Sequence, residues 1–146
     1  MNPQPGQLLV LDTSVIVHLA RQDATGQKLE DAYSLSTRHE RPLYSTVTEG
    51  ELYAFATYRG WGSQKLDKLR DILHELVRVE SSHPEIIEAY AQLYVADRNG
   101  GHSTKQNDLW IAATAIGAGA ALMTLDKDFD WMHPDHLQVF RPENVR

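Results

Sequence analysis

LLVLD, residues 8–12, is four apolar residues closed by one acid. A run this short, with polar residues on either side, reads as a strand buried on both faces. Strands of that kind belong to parallel sheets covered by helices. The reading places Asp12 at the strand's carboxyl end. In open parallel α/β sheets that end is where ligands bind.

The pattern recurs along the chain. VIVHLA, after Thr13 and Ser14, begins a helix, and a second helix is expected over 28–40, stopped by Pro42. LYST (43–46) reads as the second strand, followed by the helical segment TEGELYAFATYR, which the GWG of 60–62 breaks. Residues 63–76 carry Leu66, Leu69, Ile72, Leu73 and Leu76 at helical spacing. LVRVE (76–80) is the third strand. Pro84 suits the first turn of a helix that runs through IIEAYAQLYVA. RNGGHSTKQ (98–106) reads as a loop, and Asn107 as the cap of the helix NDLWIAATAIGAGA. ALMTLD (121–126) is the fourth strand and LQVF (137–140) a fifth. Strands alternating with helices predict an α/β sandwich on a parallel sheet of four to five strands.

Composition narrows the function classes. The 146 residues are 42% hydrophobic and 23% charged, which suits one globular domain over 1–146. No apolar run approaches the roughly 20 residues that span a bilayer. MNPQPGQ lacks the basic start and apolar stretch of a signal peptide. With no cysteine, disulfides and thiolate metal sites are excluded, and a cytoplasmic protein is expected. The formal net charge of −6 does not advertise nucleic-acid binding. Bound metal ions would reverse the local sign of an acid cluster and remove that objection.

Four acids stand where such a cluster would form. Asp12 ends the first strand, Glu51 lies in the first turn of the helix after the second, Asp108 opens the helix before the fourth, and Asp126 follows the fourth. In a parallel sheet all four share one edge. Each has an ordinary explanation alone: Thr48-x-x-Glu51 is a capping box, an acid after Asn107 suits a helix start, and Asp12 can open a turn. Together they would repel and raise one another's pKa unless a cation neutralised them. Oxygen ligands without sulfur suit Mg²⁺ or Mn²⁺, and one or two such ions activate water and stabilise the leaving oxygen in phosphodiester cleavage.

These blocks resemble the PIN domain family, most closely the VapC-like toxin ribonucleases of toxin–antitoxin pairs. LDTSVIVHL carries Asp12, TEGELYAFA carries Glu51, NDLWIAATAI carries Asp108, and LMTLDKDF carries Thr124 and Asp126. RNGG resembles the family's Arg-x-Gly lead-in at Arg98 and Gly100. The resemblance covers nearly the full length. It implies a Rossmann-like sandwich and metal-dependent endoribonuclease activity on tRNA, rRNA or mRNA. It also implies Asp12, Asp108 and Asp126 as ligands of one or two Mg²⁺ or Mn²⁺ ions, and Glu51 as ligand or orienting base. Ser14, Thr48, Asn107 and Thr124 would orient carboxylates or water. A homodimer and a cognate antitoxin are the implied protein partners.

The remaining candidates are weaker. Arg98, His102 and Lys105, just before Asp108, and Lys127, beside Asp126, are candidate RNA-phosphate contacts, against a reading as solvated surface. Trp61, Trp110 and Trp131 read as packing residues. The alternation Asp126, Asp128, Asp130 suggests a calcium loop. Counting from Asp126, however, the required Gly and Glu positions hold Trp131 and Leu137. Asp128 is therefore read as an accessory acid and Asp130 as turn chemistry. Phosphatases that need Asp-x-Asp after the first strand are excluded by Asp12-Thr13-Ser14. The alternative that keeps the fold is a PIN-like module that binds RNA or protein without cutting.

Overall fold

The computed structural model describes residues 2–145, so the first and last positions of the expected 1–146 domain lie outside the described residues. Five strands form one sheet: β1 (Leu9–Leu11), β2 (Leu43–Ser45), β3 (Val77–Val79), β4 (Ala121–Met123) and β5 (Val139–Phe140). Every pairing is parallel, and the order is β3-β2-β1-β4-β5. The helices are α1 (Thr13–Arg21), α2 (Ala24–Tyr33), α3 (Thr46–Tyr58), α4 (Ser63–Glu75), α5 (Pro84–Gly100) and α6 (Gln106–Gly117). A 3₁₀ helix, Lys127–Met132, links β4 to β5.

Side chains alternate across a strand, so each three-residue strand feeds two cores. Leu9 and Leu11 of β1, Tyr44 of β2 and Ala121 and Met123 of β4 join Val15, Ile16 and Leu19 of α1, Leu29 of α2 and Leu69 and Leu73 of α4. Val10, Leu43 and Leu122, pointing the other way, meet Ile86, Ala89 and Leu93 of α5 and Leu109, Ile111, Ala112 and Ala115 of α6. This double burial is why the strands read as continuous apolar runs. β3 departs from it: Val77 and Arg78 are exposed, as befits an edge, and Arg78 pairs with Glu49 and Glu80.

Several element boundaries differ from those expected. The second helix starts earlier, capped by Asp23, whose carboxylate accepts from the Gly26 N–H at 2.9 Å, and it ends at Tyr33. The run 98–106 is not all loop: Arg98 to Gly100 finish α5, and Gly101 ends it with φ +67. Ser45 caps α3, with its side chain accepting from the Val47 N–H. Thr48 therefore lies inside the helix, Glu51 sits in its second turn, and no Thr48–Glu51 capping box forms. Lys105 is the cap of α6 and makes no side-chain cap bond, which frees the Asn107 side chain for another use. Among the described residues no helix is long and apolar enough to cross a membrane.

The strand order reverses direction beside β1. β1, β2 and β3 run outward on one side, while β4 and β5 lie on the other. A crevice opens at such a switch point beyond the carboxyl ends of the two central strands. Asp12 follows β1 there, and Thr124 to Asp126 follow β4.

Candidate metal centre

The floor of the crevice is built by Asp12. It is 4% exposed and caps α1, its Oδ1 accepting from the Thr13 N–H at 2.7 Å. Oδ2 accepts from Ser14 Oγ at 2.8 Å and from Thr124 Oγ1 at 2.7 Å. Each of those hydroxyls also accepts from the chain after β4: Ser14 Oγ from the Leu125 N–H at 3.1 Å and Thr124 Oγ1 from the Asp126 N–H at 3.0 Å. The strand ends are thus tied together through one carboxylate. Burial pushes the Asp12 pKa above its ordinary value. Hydrogen bonds from Thr124, Ser14 and the Thr13 N–H oppose that shift, and the charge of Glu51 adds to it.

Glu51 reaches the crevice from α3. Its Oε1 accepts from Thr13 Oγ1 at 2.7 Å, and its Oε2 lies 3.4 Å from the donor Asn107 Nδ2. Thr13 Oγ1 also lies 3.1 Å from Thr48 Oγ1, and Thr48 is fully buried. Thr13 was not among the candidates that the sequence suggested. It follows Asp12 directly, but nothing in the spacing reveals that its hydroxyl crosses to another helix.

Asp108, in the first turn of α6, faces the two Asp groups after β4. One carboxylate oxygen from each of Asp108, Asp126 and Asp128 lies within 4.8 Å of the others. Asp126 caps the 3₁₀ helix and accepts from the Asp128 N–H at 2.9 Å, which turns Asp128 towards the same space. Asp128 is therefore a full member of this group, while Asp12 and Glu51 stand beside it. Asp108 is pushed up to about 7, first by burial and then by the charges of Asp12, Asp126 and Glu51, with Lys105 opposing. The donor set, carboxylate oxygens with no thiol, fits a hard divalent cation, and the crowding of negative charge is what such an ion relieves.

Comparison with known proteins identifies the fold and the lineage. The profile of the PIN domain family matches residues 9–132. The chain belongs to the PIN domain family. It is 32% identical over 128 residues to the plasmid stability protein StbB of Pseudomonas syringae pv. tomato, covering 82% of this chain and 88% of that one. Among solved structures it resembles VapBC2 of Rickettsia felis bound to a promoter DNA fragment (TM-score 0.76, 23% identity, 92% of this chain and 98% of that one). It also resembles VapBC-1 of nontypeable Haemophilus influenzae (TM-score 0.72, 22% identity, 92% and 97%). These likenesses show a shared fold.

In this PIN domain the outlying candidates take different places. Arg98 lies on α5 with its guanidinium over the Tyr94 ring at 4.6 Å. Lys105 precedes α6 and is near enough to Asp108 to act on its charge. His102 stacks on Trp131 with ring centroids 4.1 Å apart, and Trp131 Nε1 donates to Thr104 Oγ1 at 2.9 Å. Gly100 makes room for that His102 ring, because a Cβ there would lie 2.4 Å from Nε2. Buried Asp97 accepts from the Thr104 N–H at 2.9 Å and holds the same loop, a role nothing in its sequence context announces. The α5–α6 loop and the 3₁₀ helix are therefore fastened to each other, and with them Asp108 to Asp126 and Asp128. Lys127 opens the 3₁₀ helix and is exposed. Asp130 forms a two-point ion pair with Arg141 (2.9 and 3.0 Å). The tryptophans pack, as expected: Trp110 stacks on Tyr90 at 3.9 Å, and Trp61 meets Phe55 edge-on.

Proposed function

We propose that this PIN domain is a Mg²⁺- or Mn²⁺-dependent endoribonuclease, the toxin of a toxin–antitoxin pair. The observation that carries the reading is the convergence of Asp12, Glu51, Asp108, Asp126 and Asp128 on one crevice, with Asp108 raised to about 7. A structural role does not call for so costly a concentration of charge. Asp108, Asp126 and Asp128, with Asp12 behind them, would hold one or two ions. When bound, the ions would supply charge neutralisation of the phosphate and activation of water. Asp12 keeps the strand ends in register through Ser14 and Thr124. Glu51 Oε2 has only a long contact with Asn107, so it retains lone pairs to take a proton from the attacking water. Arg98, His102, Lys105 and Lys127 are the candidate contacts to RNA phosphates in this reading.

A cognate antitoxin and a second copy of the chain are the protein partners in this reading, and cytoplasmic tRNA, rRNA or mRNA the substrate. The names of the relatives support it: one is a plasmid stability protein and the structural neighbours are VapBC pairs. The test is cleavage of a broad RNA panel with Mg²⁺ or Mn²⁺, comparing the wild type with Asp12→Asn and Asp108→Asn. The expected loss is about 100-fold or more in each variant. Variants that cleave like the wild type would place the chemistry elsewhere. A wild type silent on the whole panel would favour a module that binds without cutting.

A further inference from the structure

We propose that Thr13 is a positioning residue that sets the orientation of Glu51, through a hydroxyl that bridges α1 and α3. The inference rests on reading the crevice as a nuclease site.

Thr13 is the first residue of α1, and its two polar groups serve different carboxylates. Its backbone N–H donates to Asp12 Oδ1 at 2.7 Å, and its Oγ1 reaches Glu51 Oε1 at 2.7 Å. Thr13 Oγ1 has one proton and two neighbours. The carboxylate at 2.7 Å is a stronger acceptor than the Thr48 hydroxyl at 3.1 Å, so the proton goes to Glu51. Thr48, buried one turn before Glu51 on the same helix, offers the weaker, second acceptor for that proton. Thr13 thus holds Glu51 from across the gap between the two helices.

Glu51 needs such a hold. A glutamate has three rotatable side-chain bonds, and leaving them free costs order at the reacting geometry. Thr13 has one, restricted by its β-branch. The hydroxyl fixes Oε1, Asn107 on α6 faces Oε2, and the carboxylate is left beside the Asp108, Asp126 and Asp128 oxygens without joining them. Thr13 does not touch that trio, so removing its hydroxyl should disturb proton transfer and leave ion binding intact.

The experiment uses the full chain with Thr13→Val, which keeps the shape and the backbone donor, and Thr13→Ser, which keeps the hydroxyl. Thr13→Ala takes the place of the valine variant should that one not fold. Three readouts are taken: kcat and KM for RNA cleavage with Mn²⁺, Mn²⁺ affinity by electron paramagnetic resonance, and the ¹³C carboxyl resonance of Glu51 without metal. In Thr13→Val, kcat is expected to fall about tenfold or more while KM and Mn²⁺ affinity stay within about twofold. The Glu51 resonance moves in the same variant, and Thr13→Ser restores both. The inference is overturned if Thr13→Val turns over like the wild type, if Mn²⁺ affinity falls in step with kcat, or if Thr13→Ser fails as Thr13→Val does. Should the wild type cleave no RNA, the nuclease reading fails alone. The Glu51 resonance then decides the latch: unmoved by Thr13→Val it overturns it, moved and restored by Thr13→Ser it retains it.

Discussion

Asp108 is asked to be charged in a place that disfavours charge. Burial raises its pKa first, and Asp12, Asp126 and Glu51 raise it further, to about 7. An unfolded aspartate titrates near about 4, so the folded protein holds this proton more tightly. The stability linked to Asp108 is therefore fully present below about pH 4 and is lost as pH rises through about 7. Asp12 is raised too, and acts with the same sign. Thermal melts of the metal-free protein in a chelator should show Tm falling across that window. Asp108→Asn should flatten the slope and raise Tm at about pH 8, where the wild type carries the unrelieved charge. A variant that melts lower than the wild type at that pH would show that Asp108 is stabilised by partners other than those described. At this scale the acids themselves were legible, because carboxylates at strand ends and helix starts are visible in the sequence. Thr13 was not, since a hydroxyl's partner is set by the distance between two helices.

α6 carries Asp108 and Asn107 to the crevice, and its placement depends on close packing against α5. At its last residue, Gly117, a Cβ would lie 2.6 Å from Ile86 Cγ1 and 3.0 Å from the Ile86 backbone nitrogen. Backbone cannot yield as a side-chain end can. Gly117→Ala is therefore expected to cost about 1–3 kcal/mol through overpacking, outweighing the gain of about 1 kcal/mol in helix propensity. Urea unfolding should show a lower midpoint at unchanged slope, whereas a higher midpoint would mean that α5 and α6 part without penalty. The central strands were predictable from their doubly buried runs, while the edge strand β3 carries the exposed Arg78. Helix starts were less so: Ser45 and Lys105 cap α3 and α6 where Thr48 and Asn107 looked as suitable. Ser, Thr and Asn all cap helices, and the choice falls to whichever residue the preceding strand or turn leaves in extended geometry.

Across the whole molecule, the formal charge of −6 opposes an RNA partner. If the acid cluster holds divalent ions, loading cancels most of the crevice's negative charge and gives a phosphate a cation to meet. RNA binding measured by filter retention should therefore require Mg²⁺ or Mn²⁺ and be lost in chelator. Binding that survives chelation would place the affinity on Arg98, Lys105 and Lys127 instead. Loading should also raise Tm, since an ion at about 100 times its Kd adds about 2.7 kcal/mol to the folded state.

LLVLD and the four other strand segments, alternating with helices, were enough to specify a parallel α/β sheet, because burial on both faces leaves the central strands as apolar runs. They also placed Asp12, Glu51, Asp108 and Asp126 at one edge, because parallel strands all end on the same side. Tertiary structure alone decided the strand order that opens the crevice between β1 and β4. It alone brought Asp128 into the group with Asp108 and Asp126, and it alone turned Asn107 and Thr13 towards Glu51. The contacts of Thr13 and Asn107 with Glu51 join residues 38 and 56 positions apart. Local propensity acts over a few residues, so only the packing of helices across the sheet sets which side chains meet at that range.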